Sequence, residues 1–304
     1  MKKIALIIIG GALSLGAHAQ LLWKISGDSL AKPSYVVGTM HMANASFAEQ
    51  IPGVKTAINN TDQMYGEVSW DALHNPDTIN YVKSTQMLPN NQTIKQILTP
   101  VQMKKLNAVS KKYQGTDFNN PKLMEQMGHM TPNALNDAFV LLMYLSENMG
   151  RVDPLHPIDS YFMTQAIANH EYFGGLETVK QQTDVLKKST GATQKRAVQL
   201  LMCLLNNENF YIANQEDMDR AYYSQDLKAL EKAMDEKLNN SCDPTAEENA
   251  VLIYNRNAAW LKKIPVLMRQ KPTLFVVGAG HLVGEKGLLE GLRKLGYTVE
   301  AVKE

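Results

Sequence analysis

Apolar positions recur along this chain with two different periods, and the change of period divides it into three stretches. Near the start, short runs rich in apolar and β-branched residues, Leu21 to Ile25, Ser34 to Val37 and Gln63 to Val68, have the length and composition of buried strands. A helical pattern over Val54 to Asn59 separates the last two, giving the strand, crossover, strand order that a parallel sheet requires. From about Thr93 to Trp260, Met, Leu and Ala return at helical spacing, so long amphipathic helices are expected, interrupted by one strand near Tyr172-Phe173-Gly174-Gly175. The chain then returns to a strand at Thr273 to Val277 and a helix over Lys286 to Leu295, with Leu288, Leu289, Leu292 and Leu295 on one face. Gly296 stops that helix, and a last strand follows at Tyr297 to Val302. The predicted class is α/β: a mixed, largely parallel central sheet built from both termini, with a large α-helical insertion at about 90–250.

Two of the strands end in the same phrase. Tyr35-Val36-Val37-Gly38-Thr39-Met40-His41 and Phe275-Val276-Val277-Gly278-Ala279-Gly280-His281 each run into a glycine followed three residues later by histidine. Ligands of α/β sheets bind at the carboxyl ends of strands, so the repetition predicts one site assembled from both ends of the chain. Two ordinary buried strands, each followed by a surface histidine, would read the same way.

Glu67 sits at the end of the apolar run Met64-Tyr65-Gly66-Glu67-Val68. If that strand lies parallel beside the first, Glu67 and His41 emerge on one edge of the sheet. His41, Glu67 and His281 could hold a divalent metal with positions open for water and substrate. Without metal, carboxylate and histidine could share the proton transfers of a hydrolysis. The spacing matches no helical motif such as H-E-x-x-H, and an exposed loop carboxylate is the structural alternative for Glu67.

Upstream of the second histidine, Thr245 and Glu248 fit a capping box at the start of a helix through Leu252, Arg256 and Trp260. Arg256 shares a face with two large apolar residues. It could stabilise a tetrahedral intermediate, orient Glu67, or simply tie the insertion to the core. Asp159 reads as an N-cap, and Glu177, in a stretch that also carries Gln181, as an acid at a helix start; neither needs a function. His74, His129, His156 and His170 read as surface or core polar residues.

Composition narrows the setting. With 31 basic against 30 acidic residues, nothing calls for nucleic acid as a partner. Lys2 and Lys3, the apolar stretch Ile4 to Leu15 and Ala17-His18-Ala19 read as a secretory signal peptide over 1–19, an uncleaved anchor being the lesser alternative. The remaining 20–304 then form a single exported domain, periplasmic or secreted, with no membrane insertion after cleavage. Cys203 and Cys242 either form a disulfide closing a long loop or remain one buried and one exposed thiol.

Taken together, G-T-M-H near the start, Glu67, the I-D…G-L-E-T…Q stretch at 158–181, N-R-N at 255–257 and V-V-G-A-G-H-L-V-G at 276–284 resemble the TraB/GumN family. That family includes the pheromone-shutdown protein PrgY, is similar to the Tiki metalloproteases, and is more distantly like erythromycin esterase and the ChaN haem-binding proteins. Matched by position, the family's first motif histidine falls on His41, its glutamate on Glu67, its arginine on Arg256 and its second motif histidine on His281. The resemblance implies a metal-dependent hydrolysis of a peptide or protein substrate, with Mn or Co rather than Zn as the ion. The esterase likeness implies a water-activating site without metal; a binding protein that sequesters a peptide or haem-like ligand, with the motifs lining its pocket, is the alternative from another class. Family members often carry an aspartate two positions after the glutamate; here the residue is Ser69.

Overall fold

The computed structural model describes residues 20–27 and 29–303; the expected signal peptide over 1–19 lies outside them. Six strands form one sheet: β1 (Leu22–Ser26), β2 (Ser34–Thr39), β3 (Gln63–Gly66), β4 (Tyr172–Gly175), β5 (Thr273–Gly278) and β6 (Thr298–Ala301). Their order is β4-β3-β5-β2-β1-β6. β4, β3, β5 and β2 run parallel, and β1 pairs antiparallel with both β2 and β6. The sheet is thus mixed and largely parallel; five of its strands come from the two ends of the chain and β4 from the middle.

The two repeated phrases lie on neighbouring strands, with Gly38 opposite Val277 and Thr39 opposite Gly278. β3 does not neighbour β2, as the first expectation required. β5 enters between them and sets Gly66 opposite Val276. The physical reason is burial on both faces: Leu274, Phe275, Val276 and Val277 are each at most 2% exposed, an apolar run suited to the middle of a parallel sheet. β3 is also shorter than expected, so Glu67 stands just past its end rather than within it.

The helical stretch has its own interior. α1 (Pro100–Gln114) and α2 (Pro132–Glu147) each begin with proline behind a threonine cap, Thr99 and Thr131, which pre-sets the first turn and satisfies an otherwise unpaired backbone N–H. The chain then comes back to the sheet. α3 (Ile158–Ala168) buries Ile158, Phe162 and Ala166 in the sheet core before β4 and α4 (Val179–Ser189). α5 (Gln194–Asn206) and α6 (Glu208–Tyr223) complete the second excursion. Leu106, Phe118, Leu135, Phe139, Leu201 and Leu205 belong to an apolar cluster separate from the one around the sheet. Cys203 of α5 is disulfide-bonded to Cys242.

After Thr245, which makes the expected capping box with Glu248, one π turn over Ala250–Tyr254 leads into α7 (Asn255–Gln270). α8 (Leu288–Lys294) buries Leu288, Leu289 and Leu292, but Leu295 is 53% exposed. The helix stops one residue short of it, and Gly296 at φ +90° turns the chain away. Among the described residues no helix is long and apolar enough to cross a membrane.

Candidate functional site

β2, β3 and β5 end on one edge of the sheet, and the groups they release there meet side chains from α4 and α7. The glycine of the second phrase makes room for them. A Cβ on Gly278 would stand 3.2 Å from Glu67 Oε1 and 3.6 Å from His281 Cδ2. A Cβ on Gly38 would stand 3.0 Å from Ala279 and closer still to Leu282. Neither glycine has positive φ, so close approach rather than a turn requires them.

Glu67 is the hub. Its Oε1 accepts the Gly278 N–H at 2.9 Å; its Oε2 accepts Gln182 Nε2 at 2.9 Å and Arg256 Nη2 at 2.5 Å. Arg256 also donates to Glu177 from Nε at 3.1 Å and from Nη2 at 2.6 Å, and its Nη1 lies 2.8 Å from His281 Nε2. The guanidinium is 4.7 Å from the Trp260 ring centroid, and that ring packs on the imidazole of His281 at 4.5 Å.

The tautomer of His281 follows from Asn257. The Asn257 amide donates to the carbonyls of His281 and Lys286, which leaves its Oδ1 facing His281 Nδ1 at 2.7 Å. Nδ1 therefore carries the proton and Nε2 presents a lone pair. His41 obeys the same logic, with Nδ1 2.8 Å from Asp159 Oδ2, while Thr39 Oγ1 donates to Asp159 Oδ1 at 3.0 Å. Behind it, the buried Tyr222 hydroxyl donates to the Gly38 carbonyl and steadies the end of β2.

Glu67, Arg256 and His281 are thus joined in one hydrogen-bonded cluster. His41 stands at its rim, bonded to Asp159 instead, with 69% of its side chain exposed. Asp159 and Glu177 overturn their structural readings. α3 is capped at Pro157 without any side-chain bond, so Asp159 is free to hold His41, and Glu177 precedes the Thr178 cap of α4 and binds Arg256. Gln181 closes that capping box, whereas Gln182, one residue on, reaches Glu67. Gln182 and Asn257 carried no signal of their own; only their adjacency to Gln181 and Arg256 pointed toward them. Ser69 caps a short helix, accepting from Ala72 N. His74, His129 and His156 make local contacts with Trp70, Gln92 and Asp153.

These contacts set the charges. Burial pushes Glu67 up, but the fields of His281, Arg256 and His41 and the Gly278 N–H overcome it and hold the carboxyl at about 2. Burial pushes His281 down to about 4, so it is neutral near pH 7. The bond to Asp159 raises His41 to about 9.

In chemistry the donor set fits a divalent ion. Both imidazoles spend their Nδ1–H on an oxygen, the arrangement that turns Nε2 toward a metal, and Glu67 is an ionised carboxylate. As arranged, however, the Arg256 guanidinium lies on Glu67 and His281. No group of three His, Cys, Asp or Glu side chains among the described residues is set to hold an ion.

The chain is similar along most of its length to animal proteins named metalloprotease TIKI. The chain is 26% identical to a protein of Xenopus tropicalis named metalloprotease TIKI1, matched over 91% of this chain and 60% of that one. It is likewise 26% identical to human metalloprotease TIKI1, over 92% and 61%, and 23% identical to a metalloprotease TIKI homolog of Nematostella vectensis, over 89% and 65%. It therefore spans about three fifths of the length of the curated relatives it matches. The TraB/PrgY/gumN family matches residues 21–301, nearly every residue of the fold described above, and the chain belongs to that family.

Proposed function

We propose that this protein is an exported hydrolase that cleaves peptides or exposed protein termini at the edge where β2, β3 and β5 end. One observation carries the reading: Glu67 from near the start of the chain and Arg256 and His281 from near its end meet in a single bonded cluster with His41 at its rim. The names of its relatives support peptide hydrolysis. The Cys203–Cys242 disulfide supports an oxidising compartment, periplasmic or extracellular.

His41, Glu67 and His281 would hold the divalent ion, Mn or Co before Zn. Such an ion, when bound, acidifies a water and polarises a carbonyl. Asp159 and Asn257 fix the two imidazoles with Nε2 toward the site, and Glu67 enters as an anion through its bond to Gly278. Arg256 offers N–H donors where negative charge develops on the scissile carbonyl, while Glu177 and Trp260 hold its plane. The guanidinium already seated on Glu67 and His281 favours a second reading, hydrolysis without metal, in which Glu67 takes the proton of the attacking water and the protonated His41 gives its Nε2 proton to the leaving amine.

Glu67→Gln tests both. Its cleavage of a quenched fluorogenic peptide mixture is expected to fall at least about a hundredfold with the far-UV circular dichroism unchanged. Undiminished cleavage by the variant sinks the proposal. In the wild type, loss of activity on chelation and its return with Mn2+ select the metal reading, and indifference to chelator selects the other. A protein that shields the peptides without cutting them is a binding protein.

A further inference from the structure

Arg256 makes two separable sets of contacts. One faces Glu177: Nε to Oε1 at 3.1 Å and to Oε2 at 3.2 Å, and Nη2 to Oε1 at 2.6 Å. The other faces the two groups that would ligate an ion: Nη2 to Glu67 Oε2 at 2.5 Å and Nη1 to His281 Nε2 at 2.8 Å. The second set uses the lone pair of His281 that Asn257 leaves free and the Glu67 oxygen shared with Gln182. A fixed guanidinium and a divalent cation are therefore alternatives at one pair of donors.

Three features let the guanidinium leave without being stranded. Glu177 is a second carboxylate already bound to it, and Trp260 is a flat surface on which its plane can slide. The π turn at Ala250–Tyr254 lies immediately before α7, and Arg256 Nη1 also donates to the Leu252 carbonyl within that turn at 3.2 Å. Such a turn can regularise to α and swing the residues beyond it about the helix axis.

We propose that Arg256 is an exchangeable internal cation: it occupies Glu67 and His281 until a divalent ion displaces it, and it then retires onto Glu177. This rests on the reading that the site takes a metal. The consequence is a site neutralised without its ion, whose apparent affinity for metal is lowered by the arginine it must displace.

Calorimetric titration of the full-length protein with Mn2+ tests this without reference to activity. Arg256→Gln is expected to bind Mn2+ at least about tenfold more tightly than the wild type. Arg256→Lys keeps the charge but loses the fork that reaches both donors, and it is expected to bind several-fold more tightly. The gain should vanish when Glu67→Gln is added to either variant. Equal or weaker binding by Arg256→Lys overturns the exchange; if Arg256→Gln alone gains, only its electric field mattered. A gain that survives Glu67→Gln places the ion elsewhere and overturns the proposal as well. If no protein binds Mn2+, the metal reading falls and the exchange with it. If wild type and variants bind equally, the exchange alone falls. Should Arg256→Gln not fold, the lysine variant decides the matter.

Discussion

The sheet edge and the helical insertion solve opposite problems. The insertion stabilises itself from local signals: threonine and proline start its helices, and Phe118, Leu135, Phe139 and Leu201, none of them exposed, close its interior. The sheet edge buries charge, and nothing local satisfies it. Glu67 finds its partners 115, 189 and 211 residues away in sequence, in Gln182, Arg256 and Gly278. Burying a carboxylate beside a guanidinium adds little net stability, because desolvation offsets attraction. The lesson is that the two regions should fail separately.

The largest test of that separation is Phe139→Ala, which leaves a cavity in the insertion and is expected to cost about 3–5 kcal/mol. Two probes divide the molecule, since Trp23, Trp70 and Trp260 all pack in or against the sheet core, while far-UV circular dichroism reports chiefly helix. In urea the dichroism midpoint should fall while the tryptophan fluorescence midpoint holds. Coincident shifts would show one cooperative body and break the comparison.

A smaller effect sharpens it from the other side. His281 is neutral in the fold down to about pH 4, whereas an unfolded histidine gains its proton near 6.5. Between those values the unfolded chain binds the extra proton, so the contribution of His281 is complete above about 6.5 and is lost as pH drops toward 4, by about 2–3 kcal/mol. The loss should register in tryptophan fluorescence and be absent from His281→Gln; an equal loss in that variant would assign it to another group. The smallest test is Thr131→Ala, which removes a cap from α2 and is expected to cost about 1 kcal/mol in the dichroism transition alone.

The difference between the regions also explains what could be read beforehand. The repeated V-V-G-x-x-H phrase located β2 and β5 because strand period and a glycine are written in consecutive residues, and the capping box at Thr245 was legible for the same reason. That β5 rather than β3 sits beside β2 is decided by burial on both faces, which no single run declares. Asp159 and Glu177 each begin a helical stretch, so their sequence neighbourhoods spoke for capping. Their true partners, His41 and Arg256, lie 118 and 79 residues away. Gln182 and Asn257 are amides on helices, and only the tertiary arrangement distinguishes them from solvent-facing polar residues.

The pairing of β2 with β5 has a consequence in the order of synthesis. The buried residues of the insertion's own apolar cluster run from Ile94 to Leu205, so that cluster can pack while the rest of the chain is still being made. β2 cannot find its parallel neighbour β5, nor Glu67 its guanidinium and backbone donor, until Arg256 and Gly278 have emerged. A nascent or truncated chain ending before His281 carries one histidine and one carboxylate without the groups that make them a site. The edge where β2, β3 and β5 end is among the last parts the molecule builds, with only α8 and β6 still to be added.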